Sequence, residues 1–444
     1  MENPWGEDVG EVAVHRAKFV MTRPERLLED AAVRVADDGR ILQVGAWGGL
    51  RKGFGSGRVT DWGDALLMPG LVNAHTHLEL TALGGKVTRF DSFADWALQL
   101  IRARRVWTPE EYRASTQAGA RLALASGTTL VGDIASSDVG WDALADALPC
   151  DSDAVGATVP TSPRRVVFEE ALGLAPGLAD AALDRVRGLF RRADQGAARP
   201  LQTHAVSPHA PYSTSGELYR KVAAFAQSRD VTWTTHVAET LGELRFFEDG
   251  GGEFREFLSR LGAFPEGWAP PGRHPVAWLD GMGVLGASSL LAHCNYLDGD
   301  ALRRLARRRA PVVYCPRSHD FFGHGRHPIR DLIDAGVPVA LGTDSLASNG
   351  SLDMLEEMRF LGARRKDLTA AEVFHAATGG GAVALGFAGR LGALEPGYFA
   401  DMAVVDLPPV AKPAHLLGQI LEGAGRVRAT VIAGAPCRYR VSGL

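Results

Sequence analysis

"LMPGLVNAHTHLEL", residues 67–80, places an apolar run around a Pro-Gly break and ends it in His75-Thr76-His77. In an extended chain, residues two apart face the same side, so the two imidazoles project together. Buried imidazoles need hydrogen-bond partners or a metal ion. The pair therefore reads as two histidines bonded within a polar patch or as two ligands of one ion, and the rest of the chain has to decide.

Apolar strand-like segments recur along the sequence, at 66–75, 127–134, 164–169, 201–207, 231–237, 288–293, 311–315 and 337–342. Helical patterns fall between them, among them "FADWALQLIRARR" (93–105) and "EEYRASTQAGARLALASG" (110–127). Strands alternating with helices make an α/β chain with a parallel sheet, and eight repeats suggest a (β/α)8 TIM barrel. Residues 1–66 and 393–444 read instead as short alternating strands. Asp38-Gly39 and Ala433-Gly434 mark hairpin turns there. The two ends are expected to pair into one small β-sandwich domain, with 67–392 forming the barrel.

A barrel of this kind carries its chemistry at the C-terminal ends of the strands. Those ends hold His75 and His77, His236 with Glu239 three residues on, His293, and Asp344, while His209 follows strand four. Three imidazoles and a carboxylate suit Zn²⁺ or a similar divalent ion with an open position. Each residue also has an ordinary reading. His293 could be structural, Asp344 could cap the next helix, and Glu239 could be a first-turn acid. Their coincidence at one end of one barrel favours a site.

Lys and Arg total 48 against 52 Asp and Glu, a net charge of −4, which argues against nucleic acid as the main partner. The four cysteines, Cys150, Cys294, Cys315 and Cys437, show no C-x-x-C spacing and read as reduced thiols. The first residues are acidic where a signal peptide is basic, and no run of about 18 apolar residues suggests a membrane span. A soluble cytoplasmic protein is expected, with neither membrane nor nucleic acid as partner.

The segments "PGLVNAHTHLEL", "SPHAPYS", "THVAET", "LAHCNYLD" and "GTDSLASNGSLDMLEEMR" together resemble the amidohydrolase superfamily, in the branch of aminohydrolases and chlorohydrolases acting on nucleosides, guanine and triazines. "GALEPGYFADMAVVD" resembles that family's return to its small domain. The resemblance implies a distorted barrel, a homodimer, and one metal held by His75, His77, His236 and Asp344. It further implies that Asp344 accepts the proton of the attacking water, that Glu239 shuttles protons, and that His293 orients the water or polarises the electrophile. Binuclear members commonly use a carbamylated lysine. Neither "RVVFEEALG" (165–173) nor "LQTHAVSP" (201–208) contains a lysine, which favours a single ion, Zn²⁺ first, with Fe²⁺ or Mn²⁺ as alternatives.

The expected reaction is hydrolytic deamination of an aminopurine nucleoside. His209 resembles the position that contacts the purine in related deaminases, with a turn-stabilising histidine as the alternative. Glu79 is a candidate for a ribose hydroxyl or an amine, or else a solvated acid at a helix start. "CPRSHDFFGHGRHP" (315–328) departs from many relatives by placing His319 where they have asparagine. Its Arg317 offers a planar fork for a carboxylate, unless it pairs with a surface acid. These features point to adenosine, S-adenosylhomocysteine, or the aminodeoxyfutalosine of a menaquinone route. Hydrolysis of a cyclic amide, guanine or a triazine is the alternative chemistry, and a non-catalytic scaffold the alternative class.

Overall fold

The computed structural model describes residues 13–53, 57–144, 162–195, 202–408 and 411–437. The expected strand over 66–75 is in fact two strands, Ala65–Pro69 and Leu71–Thr76, which belong to different sheets. The break falls at Gly70. Its N–H donates to the Asp401 carbonyl at 2.9 Å. A Cβ there would lie 2.1 Å from Oγ1 of Thr129, so only glycine fits.

Ala65–Pro69 runs parallel to Ala13–Arg23 and antiparallel to Met402–Asp406, with Leu67 opposite Val404. Together with Arg26–Val35, Ile41–Ala46, Arg58–Asp61, Val427–Ile432 and Ala435–Cys437 they make one eight-stranded sheet built from both ends of the chain. Its shape fits the small sandwich expected from the sequence. The two Gly-containing turns meet: Gly39 (φ +80°) sits against Ala433, where a Cβ would approach to 2.5 Å. Residues 1–12, 438–444 and Cys150 lie outside the described residues. Cys294, Cys315 and Cys437 are buried.

The second sheet is the barrel. Its strands are Leu71–Thr76, Thr128–Ala135, Arg164–Ala171, Gln202–Pro208, Trp233–Val237, Ser289–His293, Val312–Tyr314 and Val339–Leu341. They pair in parallel in chain order, and a bridge between Thr76 and Asp344 brings strand eight back to strand one. Strands seven and eight are only three residues long, so the ladder is weakest where the barrel closes.

Val72, Leu130, Val166, Leu290, Val313 and Ala340 form one apolar cluster. Side chains from strands on opposite sides can meet only inside the barrel, so this cluster is its filling. A larger cluster packs the outer strand faces against helices such as Gly216–Ser228 and Met354–Arg364. Helix starts are capped locally. Thr108 and Glu111 form a reciprocal capping box on Pro109–Ala125. Among the described residues, no helix is long and apolar enough to cross a membrane.

Candidate active site

The polypeptide leaves several barrel strands in a left-handed conformation. Ala238 (φ +51°), His293 (φ +71°), Cys294 (φ +49°) and Asp344 (φ +57°) all adopt it at strand ends. Each such non-glycine residue costs on the order of 1–3 kcal/mol and persists only where its surroundings fix it. Here the carbonyls are tied down. His327 donates from Nε2 to the His293 oxygen at 2.9 Å, and Thr76 donates from Oγ1 to the Asp344 oxygen at 2.9 Å. The strain re-aims the side chains of His293 and Asp344 into the barrel mouth.

There they meet the histidines of strands one and five. Nε2 of His77 lies 3.6 Å from Oδ1 of Asp344, and Nε2 of His75 lies 3.9 Å from the same oxygen. Nε2 of His236 stands 3.3 Å from Nε2 of His77. His236 Nδ1 donates to the His209 carbonyl at 2.8 Å, which fixes the tautomer and leaves Nε2 as a bare acceptor. The other oxygen of Asp344 accepts from Ser318 and Ser348, each at 2.7 Å, so Oδ1 alone faces the histidines.

This donor set fits a divalent cation on three grounds. Both ring nitrogens of His75 are buried without a hydrogen-bond partner, a costly state unless an ion takes one of them. Ligands about 2.1 Å from a tetrahedral ion stand roughly 3.4 Å apart, close to the separations here. Burial, the largest effect, holds His75 well below its ordinary pKa, His77 at about 3 and His236 at about 4, so the rings are neutral, as ligands must be. Burial opposes ionisation of Asp344, and the hydrogen bond that its Oδ2 accepts from Ser318 favours the carboxylate. His293 is a further neighbour: its ligand nitrogen lies within 4.8 Å of those of His75 and His236.

Glu239 completes the centre. Its Oε1 lies 3.5 Å from Nε2 of His293. Burial first, then the negative charges of Asp344 and Glu243, raise its pKa well above the ordinary value. A carboxyl group that stays protonated near neutrality can donate a proton. Its backbone is pinned from both sides, by Glu243 accepting from its N–H at 2.9 Å and by Asn295 donating to its carbonyl at 2.9 Å. Glu239 is thus not a first-turn acid, because Thr240 is the N-cap of the helix that follows.

The cluster forms part of the wall of a cavity of about 420 Å³. His209 lines it, with Nδ1 bonded to Ser213 at 2.7 Å. Three of the expected substrate contacts lie elsewhere. Glu79 is buried outside the cavity wall, and its oxygens accept from Ser136, Ser137 and Arg104. Arg317 directs Nη1 to Glu356 at 2.9 Å, away from the cavity. His319 is buried between Asn295 and the Gly325 carbonyl, so it supports Glu239 through Asn295. The lining residues that sequence reasoning passed over are Arg104, Ser136 and Glu170. Glu170 had a readable signal, an acid at the tip of strand three. The remaining wall is mainly apolar, with Ser213 and Ser345 among its members. Leu172, Leu178 and Leu261 are about half exposed and mark the mouth.

A parallel barrel with histidines and an aspartate at its strand tips, beside a small sheet made by both chain ends, is the frame of the amidohydrolases. The amidohydrolase family model matches residues 66–437, and this chain belongs to that family. It is a hydrolase acting on carbon–nitrogen bonds. A 5-methylthioadenosine/S-adenosylhomocysteine deaminase of Pelotomaculum thermopropionicum is 31% identical over 413 residues, covering 89% of this chain and 85% of the relative. An adenosine deaminase from Xanthomonas campestris, solved with bound Zn, aligns with a TM-score of 0.79 at 30% identity over 96% of this chain and 92% of that one. Helicobacter pylori aminofutalosine deaminase, in complex with methylthio-coformycin, aligns with a TM-score of 0.80 over 96% of this chain and all of that one. At 23% identity that last likeness is one of fold.

Proposed function

We propose that this protein hydrolytically deaminates a 6-aminopurine nucleoside whose 5′ position carries a mainly apolar group. The observation that carries the reading is a single cavity that joins the Glu239–His293 pair and the His/Asp cluster to an apolar mouth. His75, His77, His236 and Asp344 would hold one divalent ion, Zn²⁺ by preference for three nitrogens and one oxygen. When bound, such an ion lowers the pKa of water from 15.7 to about 7 and so supplies a nucleophile at neutral pH.

The chain's own groups then move the protons. The Asp344 carboxylate accepts the proton of the attacking water. As oxygen bonds to C6, protonated Glu239 donates to the neighbouring ring nitrogen. Asp344 passes the water's proton on to the exocyclic amine, the C–N bond breaks as ammonia leaves, and the proton of the new C6 hydroxyl returns to Glu239 to give the 6-oxopurine. His293, held by His327, orients the attack and stabilises charge that develops in the transition state. His209 borders the purine.

Methylthioadenosine, with its small apolar 5′ group, suits the leucine-lined mouth better than S-adenosylhomocysteine, whose tail is charged, and aminodeoxyfutalosine, which joins an apolar ring to a carboxylate, stands between them. Ammonia release from adenosine and from each of these three nucleosides tests the reading. We expect turnover, with kcat/KM higher for the apolar 5′ substituents. Absence of ammonia release from all four by the metal-loaded protein overturns it.

A further inference from the structure

Strand three ends in two adjacent acids, and alternation sends them to opposite sides. Glu169 turns to His204, with Oε1 and Nε2 2.7 Å apart. Glu170 lines the active-site cavity. It is 6% exposed, and its carboxylate makes no hydrogen bond among the described residues. The nearest titratable partner is Nε2 of His209 at 3.9 Å, beyond hydrogen-bond reach. A cavity-facing carboxyl group without a protein donor takes its hydrogen bonds from whatever fills the cavity, water or ligand.

The surroundings select the kind of donor. Arg104 lines the same cavity; burial raises the pKa of Glu170, and the positive charge of Arg104 opposes that rise. That same cation disfavours a ligand ammonium beside it. A neutral donor pair meets both conditions, and two hydroxyls on adjacent carbons match the two oxygens of one carboxylate. His209, the group expected against the purine, adjoins Glu170 as a sugar adjoins its base.

We infer that Glu170 is the specificity-determining residue that accepts hydrogen bonds from the 2′- and 3′-hydroxyls of the substrate's ribose, so that the site distinguishes ribonucleosides from their dideoxy analogues. The inference rests on the nucleoside reading above and adds a residue and a selectivity to it. Arg104 holds its own place through Ser136 Oγ at 3.0 Å and Glu79 at 3.4 Å, which gives the otherwise remote Glu79 a supporting part in the same wall.

The test pairs binding with turnover on the metal-loaded protein. Affinities for inosine and 2′,3′-dideoxyinosine are read from tryptophan fluorescence, since Trp96 lines the cavity. Ammonia release is read from adenosine and 2′,3′-dideoxyadenosine. Wild type is expected to favour the ribosyl member of each pair by roughly 10- to 100-fold, the range for a hydrogen bond to a charged group. In Glu170→Gln and Glu170→Ala that ratio is expected to collapse toward unity. A ratio near unity in wild type, or one that survives in both variants, overturns the assignment. Glu170→Gln, which keeps the size of the side chain, carries the assignment if Glu170→Ala fails to fold, and a wild-type ratio near unity overturns it without either variant. Ribosyl-selective binding without ammonia release overturns the deaminase reading but supports Glu170; ammonia release without ribosyl selectivity does the reverse.

Discussion

At the scale of single residues, the site works by making each polar atom face one way. His236 bonds a carbonyl through Nδ1 and Asp344 gives one oxygen to Ser318 and Ser348, which leaves His236 Nε2 and Asp344 Oδ1 as the atoms that would hold an ion. Burial and the negative charges of Asp344 and Glu243 raise the pKa of Glu239 well above the ordinary value, as a proton donor needs. Glu239→Gln is therefore expected to retain the metal while losing turnover by roughly 10²–10⁴-fold, the usual contribution of a positioned general acid. Retained turnover would remove its role as proton carrier. The ligand candidates were legible in the sequence because strand periodicity and strand ends are local patterns. Partners were not. Nothing local says that Arg317 meets Glu356, 39 positions later, or that of two adjacent acids Glu169 takes a histidine and Glu170 takes the cavity.

At the scale of elements, close strand contact sets the ligand spacing. A Cβ on Gly342 would lie 2.7 Å from the His75 carbonyl oxygen, so strand eight can reach strand one only through glycine there. Gly342→Ala is expected to push Asp344 away from His75 and His77 and to lower both metal content and thermal midpoint. Gly286→Ala, with nothing within 4 Å of its Cβ, should leave both unchanged. An alanine at 342 with full metal content would contradict this view of the closure. The eight-strand count and the order of the helices were readable from the alternation of patterns. The strand break at Gly70 was not, because an apolar run continues on either side of it and only Thr129 and Asp401 reveal the change of sheet.

At the scale of the molecule, the barrel and the terminal sheet are joined by a buried ion pair. Arg164, opening strand three, donates to Asp401 at 2.7 and 3.2 Å, and its guanidinium lies 4.1 Å from the centre of the Phe399 ring. Asp401 also accepts from the Ala433 N–H at 2.9 Å. Removing the acid leaves a buried guanidinium without its counter-ion. Asp401→Ala is expected to cost about 3–5 kcal/mol in denaturant unfolding. A loss below about 1 kcal/mol, the worth of an exposed pair, would show that the guanidinium finds water or another partner.

The central claim is that side chains from strands one, five and eight converge on one ion. Metal analysis of the purified protein, of His236→Ala and of Asp344→Ala, each with its ammonia-releasing activity before and after chelation, tests it most directly. The account predicts one divalent ion per wild-type chain, its loss in both variants, and activity that falls on chelation and returns with added Zn²⁺. A fully active wild-type chain that holds no divalent ion and ignores the chelator would contradict it.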